Sequence, residues 1–449
     1  MKSEPYKNYK PANSAWLSSL PESWDQTRGR FIMAVNPPAR RARALADTDE
    51  VSFVPMEAVG EYGGLDLERT KQLDEIGSGY TAFQDGDVVI AKITPCFENG
   101  KGAIANGLKN GVGFGTTELH VLRPGKHLNK QFLFYLTISH TFRMLGESEM
   151  YGAGGQKRVP PEFVKDFRIP LPPIDEQQTI ARFLDAKTAQ MDELIAKKRL
   201  LIAKLKEKRQ ALIARTVTRG LPPEAAKAAG LEPNPEMKDS GVGWLGAVPA
   251  RWEIKAIKWA TPVQRGASPR PIDDPSYFDD DGEYAWVRIS DVTAAGMYLD
   301  ATEQRLSDLG SSLSVKIEPG GLFLSIAGTV GKPCIANIKC CIHDGFVYFP
   351  LWKGEPRFLF YLFASGEPYK GLGKMGTQLN LNTDTVGSIV ISVPEAAEQK
   401  LITDYLDRTT AELDTMATTV EAAIDRLTEY RQALITAAVT GKIDVCEAA

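Results

Sequence analysis

Cysteine is scarce in this chain of 449 residues, and the five present (Cys96, Cys334, Cys340, Cys341, Cys446) form an odd, unevenly spread set. That excludes a disulfide framework and reads as reduced thiols. Histidine is rarer still, with four scattered residues: His120, His127, His140 and His343. Cys334, Cys340, Cys341 and His343 come close enough together to raise zinc, but adjacent Cys340 and Cys341 lack the spacing that lets two thiolates share one tetrahedral ion. Buried strand thiols are expected instead, and no metal site. No run of about 18 apolar residues occurs, so no membrane span is expected. Met1 to Lys10 is polar without an apolar core, so no secretory signal is expected, and the cytoplasm is the expected location.

Catalytic signatures are missing too. Gly328-Thr329-Val330-Gly331-Lys332-Pro333 is too short between its glycines for a Walker A loop, and Pro333 stands where Ser or Thr would bind magnesium. Asn36-Pro37-Pro38-Ala39 resembles the Asn-Pro-Pro-aromatic motif of adenine amino-methyltransferases, yet lacks the aromatic that stacks on a flipped base and reads as a turn. No nucleophile or paired carboxylate set stands out. The expectation is recognition rather than catalysis, with no catalytic residue and no cofactor.

A net charge of −4 conceals an uneven distribution. Residues 1–168 carry +1, 169–220 carry +5, 221–390 carry −4 and 391–449 carry −6. The basic and acidic extremes are the two copies of one stretch. Pro172, Glu176-Gln177, Arg209-Gln210-Ala211-Leu212-Ile213 and Val217-Thr218 return as Pro394, Glu398-Gln399, Arg431-Gln432-Ala433-Leu434-Ile435 and Val439-Thr440, shifted by 222 without a gap.

The first copy reads as a helix opened by Asp175 and Gln178 in a capping-box pattern, with no Pro or Gly before Gly220. Some 44 residues of helix would be about 66 Å long. Steps of four and three pick out a seam: Ile180, Leu184, Lys187, Met191, Leu194, Lys198, Leu201, Leu205, Lys208 and Leu212. In the second copy the seam is Ile402, Leu406, Thr409, Leu413, Met416, Val420, Ala423, Leu427, Tyr430 and Leu434. Sustained heptads predict a coiled coil. Seam lysines in the basic copy disfavour self-pairing, and the acidic copy offers counter-charges, so an intramolecular antiparallel pair is expected.

The rest of the chain is duplicated more loosely. Trp16-Leu17, Pro21 and Trp24 return as Trp244-Leu245, Pro249 and Trp252 at a shift of 228, and Phe132 to Leu136 return as Phe358 to Leu362 at 226. Val51 to Val54, Asp87 to Ile93 and Leu119 to Leu122 read as strands, and Phe132 begins a helix whose apolar spacing continues through Phe142 and Leu145. The expected plan is α+β: a first domain at 1–170, a helix at 171–220, a linker at 221–243, a second domain at 244–392 and a second helix at 393–443.

Basic residues in Gly-, Pro- and Asn-rich loops are candidates for phosphate and base contacts. In the first domain these are Arg40, Arg41, Arg43, Lys92, Lys101, Lys157 and Arg158. The second offers Arg265, Arg270, Arg288, Lys332, Gln378 and Asn380.

With the duplicated Glu-Gln and Arg-Gln-Ala-Leu-Ile elements, the Trp/Pro openings and the Gly376-Thr377-Gln378 lead-in in place, the chain resembles the DNA-specificity subunit of type I restriction-modification systems over nearly its whole length. The resemblance implies two target-recognition domains, each reading half of a split, asymmetric double-stranded DNA sequence, held apart by the antiparallel helices. It further implies a subunit with no catalysis of its own, which carries two adenine-methylating modification subunits and, in the full complex, restriction subunits that translocate and cut. The rod would then act as a ruler for half-site spacing. Two rival readings stand beside this one: a coiled-coil scaffold spacing two protein-binding domains, and a fused methyltransferase.

Overall fold

The β-branched run Val88–Ala91 becomes a strand buried on both faces, and its neighbours set the plan of one N-terminal sheet. The computed structural model describes residues 4–77, 79–152, 155–370, 372 and 381–445. In it, Val88–Ala91 lies between Leu119–Pro124 and Gly102–Ile104, with Met33–Val35 beyond, all antiparallel. A second sheet runs Thr70–Gln72, Glu50–Val54, Val112–Gly115, Thr81–Gln84, and its middle pair is parallel, with Phe114 opposite Phe53.

The same orders recur in the later half. Gln304–Leu306, Tyr284–Val287, Cys340–Ile342 and Val315–Ile317 form a sheet whose middle pair is again parallel, with Ala285 opposite Cys340. The other sheet runs Gln264–Arg265, Phe346–Tyr348, Leu322–Ser325, Pro333–Ala336 and adds Tyr298–Leu299. Strand order is shared although the sequences between the anchors are unlike. Cys334, Cys340 and Cys341 are fully buried strand thiols. Cys340 and Cys341 face different apolar clusters, as alternation along a strand requires, so they do not point at a common ion.

The chain divides into two units, one of residues 1–199 with 422–449 and the other of residues 200–421. Both bounds cut through long helices, Ile174–Arg219 (46 residues) and Ala396–Val439 (44 residues), so each unit holds half of each. Within each unit the two halves run antiparallel as a coiled-coil pair. In the first, Asp192 meets Arg431 at 3.3 Å; in the second, Asp414 meets Arg209 at 3.0 Å. These are the same two positions exchanged by the 222-residue shift.

Each unit packs an aromatic helix on this pair. In the first unit Gln177 bonds the Pro172 and His127 carbonyls and accepts from the Asn129 N–H, fixing the start of helix Lys130–Ile138. Midway, Tyr135 donates to Asp185 at 2.6 Å, and Gln432 donates to the Ile138 carbonyl at the far end. In the second unit Gln399, Tyr361 with Asp407, and Gln210 do the same for helix Pro356–Ala364. The duplicated Glu-Gln and Arg-Gln motifs are therefore clamps: each aromatic helix is held at one end by one long helix and at the other end by the other. Around them the first core gathers Trp24, Phe132, Ile180, Leu184, Ile435 and Val439, and the second Trp252, Phe358, Ile213, Val217, Ile402 and Leu406.

Three expectations need correction. Of the seam residues, Ile180, Leu184, Met191, Ile402, Leu406, Leu413 and Leu434 are buried, and Leu205, Leu212, Val420 and Leu427 are half-buried, but Leu194, Leu201 and Met416 are exposed. The inward stripe is Ile180, Leu184, Thr188, Met191, Ile195, Lys198, Ile202, Leu205, Arg209 and Ile213, repeated 222 residues on as Ile402 to Ile435. It advances at roughly 3.67 residues per step, near the natural turn of a straight helix rather than the 3.5 of a heptad seam. The phase slips where Thr188 and Thr410 turn inward, their hydroxyls returned to the Leu184 and Leu406 carbonyls. Second, the aromatic helix stops at Ile138, because Ser139 is extended and its hydroxyl caps a new helix, His140–Ser148. Third, the long helix begins at Ile174, so Asp175 and Glu176 lie in its first turn as favourable charges at the N-terminus instead of forming the expected capping box.

Candidate nucleic-acid interface

In the first unit the three arginines lie on one exposed turn. Asn36 has φ 54°, a left-handed conformation that Asn tolerates, and this swings the chain out of the sheet into Pro37-Pro38 and the short helix Arg40–Ala44. Arg40, Arg41 and Arg43 are all exposed; Arg41 reaches Asp85 at 4.0 Å, while Arg40 and Arg43 have no partner among the described residues.

A network running from exposed Asn36 to buried His120 fixes where that turn leaves. Asn36 accepts from the Val121 N–H at 2.9 Å and its amide lies 3.2 Å from Nδ1 of His120, whose Nε2 sits 2.9 Å from the Val159 carbonyl. All of these bonds are satisfied only with a neutral ring protonated on Nε2. His120 therefore ties the arginine turn to the segment that carries Lys157 and Arg158. Burial lowers its pKa, Lys92 and Lys165 push the same way, and the Val159 bond and Glu162 oppose. Between its depressed native pKa and the ordinary value of 6.5, the unfolded chain binds a proton that the folded chain does not. Stability is thus complete above about pH 6.5 and falls as pH drops through that window, to which half-buried His343 of the second unit, lowered for the same reason, also contributes. Thermal unfolding followed against pH should show this slope, flattened in His120→Gln; an unchanged slope would remove His120 as its source.

The remaining first-unit candidates gather about the turn 93–101. Ile93 pairs with Arg158, and the Thr94 N–H donates to the Lys157 carbonyl. Lys157 is exposed and Lys92 half-buried. Arg158, by contrast, is held bidentate on Glu118 at 2.8 and 2.9 Å, which with Lys92 keeps that carboxyl below its usual range. Lys101 donates to the Met56 carbonyl at 3.2 Å.

In the second unit Arg265 and Arg270 converge on Asp344, Arg265 through its carbonyl and Arg270 through its carboxylate at 3.1 Å. Burial works against the Asp344 charge, yet Ser268, Arg270 and Arg265 together hold its carboxyl below the usual range. Arg288 bonds Gln304 and lies 3.7 Å from Glu303. Lys332 donates to the Thr293 and Ala295 carbonyls at 2.8 and 2.9 Å, closing the end of helix Ile289–Ala294. Gln378 and Asn380 lie outside the described residues. The structure thus brings Lys92, Lys157 and Arg158 together, and Arg265 with Arg270, while Lys101 and Lys332 spend their donors inside the fold.

Two clusters escaped the sequence reading. Lys71 lies 4.3 Å over the ring of Phe53, which Tyr80 meets edge-on. On the matching sheet of the second unit Lys316 and Lys339 lie 4.4 and 5.9 Å from the ring of Tyr284. The half-buried Phe53 ring beside Lys71 suits sugar and base stacking beside phosphate, whereas Tyr284 is buried in its core cluster. Lys71 pairs with Val51 and Lys316 with Cys341, so the lysines reach their rings from neighbouring positions, a signal that required the strand pairing.

Among the described residues no helix is long and apolar enough to cross a membrane. Comparison with known proteins agrees along the chain. A profile of the family described as "Type I restriction modification DNA specificity domain" matches residues 69–204 and 251–426. The type I restriction enzyme EcoEI specificity subunit of Escherichia coli is 45% identical over 163 residues, 36% of this chain and 27% of that protein. This chain therefore spans about a quarter of the length of the first curated relatives it matches. The MjaVIII specificity subunit of Methanocaldococcus jannaschii is 23% identical over 97% of both chains. A structure described as the basis of complex assembly and conformational transition of the type I R-M system matches with a TM-score of 0.74 and 19% identity, covering 94% of this chain and 99% of that one. The HsdS subunit from Thermoanaerobacter tengcongensis matches with a TM-score of 0.55, also at 19% identity, covering 94% and 98%. At that identity the likeness is one of fold.

Proposed function

The chain belongs to the family of type I restriction-modification DNA specificity proteins, and on that premise we propose that it reads a bipartite, asymmetric DNA target and directs adenine-methyltransferase and restriction subunits to it. Each unit reads one half-site, and the chain itself performs no chemistry. One observation carries this reading: the two units keep one strand order and one set of helix clamps while their loops present different groups. A turn of three exposed arginines stands in the first, and Arg265 and Arg270 gathered on Asp344 in the second. Matching frames with unlike loops suit two different half-sites, whereas a pure spacer has no need of the difference. Affinity is expected from Arg40, Arg41, Arg43, Lys92, Lys157 and Arg158 on one side and Arg265, Arg270 and Arg288 on the other, with the paired helices setting the half-site spacing.

Adenine methylation mapped genome-wide, in cells with and without the gene, tests this. Removal of the gene should abolish methylation at one motif of two unequal halves separated by a fixed gap. An unchanged pattern in cells that express the methyltransferase subunit would overturn the proposal.

A further inference from the structure

Phe31 and Trp259 are 73% and 76% exposed, more than any other large apolar side chain among the described residues. A single exposed aromatic is unremarkable. These two stand 228 residues apart, the shift that also relates Trp16 to Trp244 and Trp24 to Trp252, so they occupy the same place in the two units. Each sits on a four-residue helix, Gly29–Ile32 or Ile257–Ala260, that leaves a strand paired with the end of its own domain: Asp25–Arg28 with Arg168–Leu171, and Glu253–Ala256 with Val390–Val393. The helices are seated. A Cβ on Gly29 would meet the Val164 carbonyl at 2.6 Å, and one on Gly387 would meet Lys258 at 3.4 Å. The rings are therefore carried on short helices packed against neighbouring elements.

Their surroundings are alike in charge. Arg30 and Arg28 lie 2.6 and 3.6 Å from a single carboxylate, Asp166, leaving an excess of positive charge beside Phe31. Lys258 lies 5.7 Å from the Trp259 ring. Past Asp166 the first patch continues into a cleft of about 460 Å³ floored by Trp16, Phe163 and Phe167 and edged by Glu149 and Glu162. In the first unit, the carboxylates that edge this apolar floor disfavour a phosphate backbone there and suit a protein surface.

We infer that Phe31 and Trp259 are equivalent anchors for one protein bound twice, each ring entering an apolar recess edged by carboxylates that face the Arg28/Arg30 and Lys258 collars. The loops that read DNA differ between the units because the half-sites differ. A partner that is the same on both sides needs a contact that is the same on both. Resting on the function proposed above, the occupant is the methyltransferase subunit, one copy at each patch.

The test uses the full chain co-expressed with a methyltransferase subunit of its own system. Native mass spectrometry should give two methyltransferases per chain for the parent, one for Phe31→Ala or Trp259→Ala, and none for the double variant. Each site should lose roughly thirtyfold in affinity, the size of a buried aromatic anchor. DNA binding by the chain without methyltransferase, and its melting temperature, should be unchanged because neither ring packs in the core. Two methyltransferases retained by the double variant would overturn the inference, as would DNA binding lost by the double variant alone, which would make the rings DNA contacts. A parent chain that recruits no methyltransferase would overturn the functional reading and this inference with it.

Discussion

Ending the chain after Glu421 should unfold the first unit, although that unit's sheets lie more than two hundred residues earlier. The truncation removes Leu434, Ile435, Ala438, Val439 and Val445, all buried in the core that also holds Trp24, Phe132 and Leu184. Four of these are larger than alanine, and at about 1.5–3 kcal/mol for each buried side chain their loss approaches the whole stability of an ordinary domain. The clamp from Gln432 to the Ile138 carbonyl and the Arg431–Asp192 pair go with them. Limited proteolysis should then cut within residues 1–199 while leaving the second unit protected. Should the truncated chain aggregate, Ile435→Ala supplies a graded version with an expected loss of about 2–5 kcal/mol in thermal unfolding. An N-terminal segment as protected as in the parent would refute this.

Replacing Arg40, Arg41 and Arg43 together by alanine should weaken DNA binding roughly a hundredfold at moderate salt while leaving the fold intact. The three are exposed, and among the described residues only Arg41 has an ionic partner, a distant one in Asp85. If each neutralises one phosphate, the slope of log affinity against log salt should shrink by about 0.9 for each arginine removed. Binding at several salt concentrations separates this from lost base reading, which would lower affinity without altering the slope. An unchanged slope would place the arginine turn away from the DNA.

The repeat, the tryptophans that mark its two openings and the strand runs were legible in the sequence because they are local signals or because they occur twice. The Glu-Gln and Arg-Gln motifs were visible as motifs only. Their work, gripping the two ends of an aromatic helix, depends on contacts such as Gln432 to Ile138 that span nearly three hundred residues. The seam failed at Leu194, Leu201 and Met416 because one inward threonine in each helix shifts the phase, and hydrophobicity alone ranks Thr188 below its neighbours. The candidate DNA contacts were the least legible. A lysine in a glycine-rich loop looks alike whether it faces solvent, as Lys157 does, or closes a helix, as Lys332 does, and Arg158 and Arg270 find their carboxylates 40 and 74 residues away. The shared strand order was hidden for the opposite reason: topology follows backbone pairing, which unlike sequences can satisfy equally well.

The division of the chain also has a consequence for its synthesis. Residues 200–421 form the second unit without interruption, while the first needs both residues 1–199 and the last segment from 422 onward, whose Asp444 N–H closes on the Glu4 carbonyl. A ribosome makes the N-terminal sheets well before the residues from 422 onward that complete their core. The later unit can therefore finish folding before the earlier one, whose aromatic helix waits for the residues from 422 onward with part of its apolar face uncovered. The division of the chain thus permits an order of folding opposite to the order of translation.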